Sequence, residues 1–114
     1  MSDTETIFGR IIRGEIPCDK VYEDDRALAF RDLHPVAPTH ILVIPKTALP
    51  TLESVGAVHE AELGHLLRVA SEVARAEGLE GYRLVINNGP AAGQEVMHLH
   101  VHVLGGRGFG WPPG

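Results

Sequence analysis

The chain has 114 residues, 44% of them hydrophobic, a formal net charge of −5 and one cysteine. Its length suits one domain that buries roughly two-thirds of its unfolded surface, and a lone cysteine excludes an internal disulfide. The acidic balance with scattered Lys and Arg speaks against nucleic-acid backbone binding, and the longest aliphatic run, Ile41-Leu42-Val43-Ile44, is far short of the ~20 residues of a membrane span.

Residues 1–5 are polar and acidic, with neither signal nor transit character, and are expected to lack order. With the reducing compartment that one thiol fits, they point to a cytoplasmic protein. Thr6 is placed to cap a short helix through residue 13, with Gly14 ending it and Pro17 preventing its resumption. Residues 21–22 and 27–30 flank the turn-rich Glu23-Asp24-Asp25-Arg26 and read as a hairpin. Residues 40–44, stopped by Pro45, read as a buried strand; residues 51–57 fit neither pattern. From about Val58 the period turns helical, with Leu63, Leu67, Ala70 and Ala74 on one stripe, widened by Leu66 and Val73. Gly78 is a natural C-cap. Residues 82–87 and 98–104 supply two more strands. The expected fold is α+β, a mainly antiparallel five-stranded sheet with one long and one short helix, in a single domain 1–114 whose residues 107–114 form a tail. His59 and His65 read as solvated helix residues, His34 as a loop residue, and Cys18 as an inert or partly buried thiol.

The most informative segment is His98-Leu99-His100-Val101-His102-Val103-Leu104. Strict alternation is the signature of a strand, so His98, His100 and His102 share one face and Leu99, Val101 and Val103 the other. Folding does not ask for a row of imidazoles. Two chemistries do. Metal ligation uses neutral His but needs a third ligand, for which His40, Glu95 or a distant carboxylate are the candidates. Covalent catalysis at phosphorus uses a neutral imidazole as nucleophile, flanked by imidazoles that donate to phosphate oxygens. The preceding Asn87-Asn88-Gly89-Pro90-Ala91-Ala92-Gly93-Gln94 is either a plain turn or a loop offering backbone N–H groups to an anion. On the residues alone His40 reads as structural.

The run Gly93-Gln94-Glu95-Val96-Met97-His98-Leu99-His100-Val101-His102-Val103-Leu104-Gly105-Gly106-Arg107 resembles the motif of the histidine-triad (HIT) family, and the closing Trp111-Pro112-Pro113-Gly114 is similar to its Hint branch. Thr6-Ile7-Phe8-Gly9-Arg10-Ile11-Ile12 and Phe30-Arg31-Asp32-Leu33-His34-Pro35-Val36-Ala37-Pro38-Thr39-His40 match as well, so the resemblance runs from Thr6 to Gly114. It implies a sheet continued across a homodimer and an AMP-like purine nucleotide substrate, with no cofactor and no metal. The implied activity is hydrolysis of purine nucleoside 5′-phosphoramidates through a nucleotidyl-histidine. The alternatives are dinucleoside polyphosphate hydrolysis or a nucleotide-binding regulatory module. It further implies His100 as nucleophile, His102 and His40 as phosphate donors, and His98 in the supporting network. Asn87, Gly93, Gln94 and Glu95 complete the phosphate cradle, although the carboxylate of Glu95 repels phosphate unless turned away or protonated. Asp32 takes the ribose hydroxyls. Ile7, Phe8, Ile11, Phe30 and Leu33 hold the base, and Trp111 packs near the partner's site.

Overall fold

The computed structural model describes residues 6–114; the expectation for residues 1–5 lies outside them. Thr6 caps α1 (Ile7–Ile12) by accepting the Gly9 N–H on its hydroxyl, and Gly14 follows the helix at φ +79°, where a side chain is strained. β1 (Lys20–Glu23) and β2 (Ala27–Arg31) form the hairpin. β3 (Thr39–Pro45) follows, then a 3-10 turn at Ala57–His59 and the long α2 (Glu60–Ala76). β4 (Tyr82–Val85) and β5 (Val101–Gly105) complete an antiparallel sheet ordered β1-β2-β3-β5-β4.

The pleat divides the side chains between two layers. Ala27, Ala29, Ile41, Val43, Leu99, Val101 and Val103 pack against Leu66, Val69, Ala70, Val73 and Ala74 of α2. Leu28, Phe30, Leu42 and Ile44 face the other way, onto Phe8 of α1. β3 is therefore buried on both faces, which is why its sequence is nearly continuous in apolar residues.

Four expectations are corrected. The stripe of α2 is rotated: Leu67 is exposed, whereas His65 and Val69 are buried. Leu67 lies beyond the small Ala74 at the margin of the contact, where a long side chain reaches solvent. His65 is not solvated, because Asp24 and Arg26 in the β1–β2 turn supply partners for both its ring nitrogens. His59 is half-buried and bonded to Glu62 rather than free in solvent. The histidine strand begins only at Val101. Its partner β3 ends at Pro45, and the Leu99 N–H turns instead to the Leu49 carbonyl, 2.6 Å away.

Candidate functional site

Alternation persists beyond the ladder. Leu99 lies in the α2 layer, while His98 and His100 turn toward Phe8, whose ring meets that of His100 edge-on at 5.1 Å between centroids. In the β3–β5 register Leu42 opposes His102 and His40 opposes Leu104, so His40 and His102 are diagonal neighbours on one face. Sequence residues 62 apart thus become hydrogen-bond partners at 2.9 Å.

The donors assign the protons. The Val36 N–H donates to Nδ1 of His40 at 3.1 Å, so neutral His40 carries its proton on Nε2. That proton points to Nδ1 of His102, which must accept, leaving the second proton of the relay on Nε2 of His102. This Nε2 is buried and, among the described residues, has no hydrogen-bond partner. A buried N–H without such a partner is open to a group bound in the cleft. Burial, together with the neighbouring His100 and His40, pushes the pKa of His102 down to about 4, against the opposing pull of Asp32. Burial lowers His40 as well, again opposed by Asp32. The relay is neutral at physiological pH.

His100 is held differently. Its Nδ1–H donates to the backbone carbonyl of His98 at 2.7 Å, so the lone pair is on Nε2. The His98 ring itself is buried and donates from Nε2 to the Pro45 carbonyl at 2.8 Å, pinning the end of β3 to the residue whose carbonyl orients His100. Burial lowers the pKa of His98 despite that carbonyl. Its Nδ1 has no partner. His98 supports the site without lining it.

His40, His100 and His102 line a cleft of about 520 Å³, a size that suits a nucleotide. Its lining includes His40, His100, His102, Asn87, Gly93 and Glu95, with Asp32 beside them and the expected Ile7, Phe8, Ile11, Phe30 and Leu33 as apolar wall. Leu33 is 84% and Ile7 47% exposed, as side chains of an open binding slot would be. Asp32 accepts the His34 N–H on Oδ1 at 2.8 Å and faces Nε2 of His40 at 3.4 Å through Oδ2. The sequence reading missed Ile16, Asp19, Arg31, Val36 and Leu42, and did not place Cys18 or His34 here. Their chemistry carries no signal until the chain is folded. Cys18 is half-buried, with its thiol pKa pushed up by burial.

Gln94 does not belong to the cradle. Its amide nitrogen donates to the carbonyls of Pro50 and Val96, its oxygen accepts the Gly89 N–H, and its own N–H is bonded to the Gly89 carbonyl. It braces the loop on which Gly93, at φ +93°, brings the backbone to the cleft. Trp111 is 84% exposed and does not line the cleft. A larger concavity of about 670 Å³, between the end of α2, β4 and residues 106–109, contains no imidazole. His40, His100 and His102 line the smaller one.

Asp32, His40 and His102 each bring a ligand atom within 4.8 Å of the others. They are a poor match for a metal. Nε2 of His40 and Nδ1 of His102 are 2.9 Å apart, closer than the ~3.3 Å that two imidazoles on a tetrahedral ion require. Metal on Nε2 of His40 would also force a proton onto Nδ1, against the Val36 N–H.

The family profile described as HIT domain matches residues 13–109. The chain is 54% identical over 108 residues to the purine nucleoside phosphoramidase of Escherichia coli, covering 93% of this chain and 91% of that one. It is 56% identical over 117 residues to a 14 kDa zinc-binding protein of Zea mays, covering 100% and 91%. A HIT family hydrolase from Legionella pneumophila has the same fold, with a TM-score of 0.92 at 49% identity over 95% of this chain and 98% of that chain.

Proposed function

The chain belongs to the HIT family, and from that premise we propose that it hydrolyses purine nucleoside 5′-phosphoramidates to the nucleoside monophosphate and an amine. One relative is named a purine nucleoside phosphoramidase and one solved neighbour a HIT family hydrolase, and this chain is a nucleotide hydrolase of that kind. The observation that carries the finer reading is the pair of tautomers, a lone pair on Nε2 of His100 beside an unpartnered N–H on His102. A nucleophile and an oxyanion donor are thus preorganised on one face of a nucleotide-sized cleft.

In this reading the base lies among Ile7, Phe8, Ile11, Phe30 and Leu33, and Asp32 takes the ribose hydroxyls. Nε2 of His100 attacks the α-phosphorus. The P–N bond breaks as the P–Nε2 bond forms, and the departing amine takes up a proton from solvent, which the attacking water of the second step gives back. His102 and, through it, His40 hold the phosphate oxygens, with Asn87 and the backbone at Gly93 completing the cradle. Water then cleaves the nucleotidyl-imidazole, which releases the monophosphate and regenerates the neutral ring. No metal enters, because the donor set at Asp32, His40 and His102 suits a proton relay better than an ion.

The test is a comparison of kcat/KM for an adenosine phosphoramidate and a dinucleoside polyphosphate, before and after exhaustive chelation. The phosphoramidate is expected to be the better substrate, with the rate unaltered by chelation. Preference for the polyphosphate would hand the site to phosphoanhydride hydrolysis. Activity lost on chelation and restored by one equivalent of zinc would overturn the relay.

A further inference from the structure

Among the described residues the cleft contains three carboxylates, Asp19, Asp32 and Glu95, and one permanent cation, Arg31. Arg31 is not available to a phosphate chain. Its Nη1 and Nη2 donate to Glu77 at 2.8 and 3.0 Å, and its Nε faces Asp19 at 3.8 Å. Asp32 is engaged by the His34 N–H and faces His40. Glu95 differs from both. It is exposed, and among the described residues no ion pair or hydrogen bond engages its carboxylate. It belongs to the same segment as Asn87 and Gly93, whereas the apolar wall comes from α1, β2 and Leu33 just after β2. With a base on that wall and phosphorus before His100, the segment carrying Glu95 borders the space through which the leaving group departs.

We propose that Glu95 selects the leaving group by charge, favouring amines that bear a positive charge beyond the scissile nitrogen and disfavouring anionic ones. This rests on the phosphoramidase reading and deepens it. A polyphosphate leaving group brings several negative charges to a carboxylate with no free lysine or arginine in the cleft to offset them. The imidazoles of the relay are neutral and add no compensating charge. A cationic amine gains what the polyphosphate loses. Over several ångströms of partly solvated space such an interaction changes a rate roughly threefold to tenfold, and salt screens it.

Three adenosine phosphoramidates with one linker, ending in trimethylammonium, hydroxyl or carboxylate, test it through kcat/KM for the wild-type protein, Glu95→Gln and Glu95→Lys at low and physiological salt. The expected wild-type order is cation, neutral, anion. The cation-to-anion ratio should fall about threefold to tenfold in Glu95→Gln and invert in Glu95→Lys, with the differences shrinking as salt rises. Glu95 is exposed, so both variants should fold. Turnover of all three substrates with the same order in all three proteins overturns the selector alone. Failure of the wild-type protein to turn over any of them removes the phosphoramidase reading and the selector with it.

Discussion

His100 and His102 have the same ring and opposite tautomers, and a single backbone group decides each. The His98 carbonyl accepts the Nδ1–H of His100 and so leaves the lone pair on Nε2; the Val36 N–H, acting through His40, puts a proton where His102 meets the cleft. Replacing His100 by Asn or Gly should therefore abolish hydrolysis while leaving monophosphate binding within about tenfold, or ~1.4 kcal/mol. Rapid acid quenching followed by peptide mass analysis should find the nucleotide on His100; an adduct on His98 or His102 would sink the assignment. His102→Ala and His40→Ala should weaken binding and rate together, since each removes part of the donor relay. The lowered pKa values also have a consequence for stability. Between the unfolded imidazole value near ~6.5 and the folded value of His102 of about 4, the unfolded chain binds more protons than the folded one. Stability should thus fall as pH drops through that window, by an amount on the order of 3 kcal/mol for His102. Thermal melts at pH 7 and pH 4.5 would read this, and His102→Gln should flatten the decline.

The β1–β2 turn and α2 are joined by a polar latch on the layer opposite the cleft. Nε2 of His65 donates to Asp24 at 2.6 Å, while Nδ1 faces the guanidinium of Arg26 at 3.2 Å and that of Arg68 at 3.4 Å. Asp24 also accepts the Tyr22 hydroxyl and the N–H groups of Arg26 and Ala27. Burial works to raise its pKa, but these donors outweigh it and hold the carboxyl well below the usual range. His65→Ala should cost about 1–3 kcal/mol by stranding buried partners, seen as a lower melting temperature. The rate per folded molecule should not change, because α2 packs on the other face of the sheet from His100. An unaltered melting temperature would show that the latch is redundant.

Assembly of the whole protein turns on its edges. β1 and β4 are the outer strands, and β4 carries exposed Tyr82 next to α2, where its hydroxyl reaches Ser71 one turn beyond exposed Leu67. An open edge flanked by apolar side chains favours symmetric pairing, and it supports the proposal of a homodimer with a continuous sheet. Sedimentation at micromolar concentration should show a dimer; a monomer removes the proposal. The tail is fastened to the same region. The Phe109 ring lies 4.3 Å from the guanidinium of Arg107 and 5.1 Å from that of Arg83, which also donates to the Gly110 carbonyl. Trp111 is thereby held facing outward, as a residue destined for a second copy's site would be. Deleting residues 109–114 should alter preference among amine leaving groups with the fold intact, and unaltered preference would deny the tail that role.

Much of this protein was legible in the linear chain because the signals are local. Thr6 and Gly14 bound α1, Pro45 stops β3, and the alternation of 98–104 separates imidazoles from core aliphatics, whatever the tertiary context. The site residues taken from the family resemblance gathered in one cleft apart from His98, Gln94 and Trp111. What the chain could not disclose depended on partners distant in sequence. The Val36 amide assigns the proton on His40, and the end of β3 decides where the histidine strand begins. Asp24 makes a buried residue of His65, and Pro50 draws Gln94 into the scaffold. Periodicity reports which face a side chain takes; which hydrogen bond waits for it there is a property of packing between segments, and only folding brings those segments together.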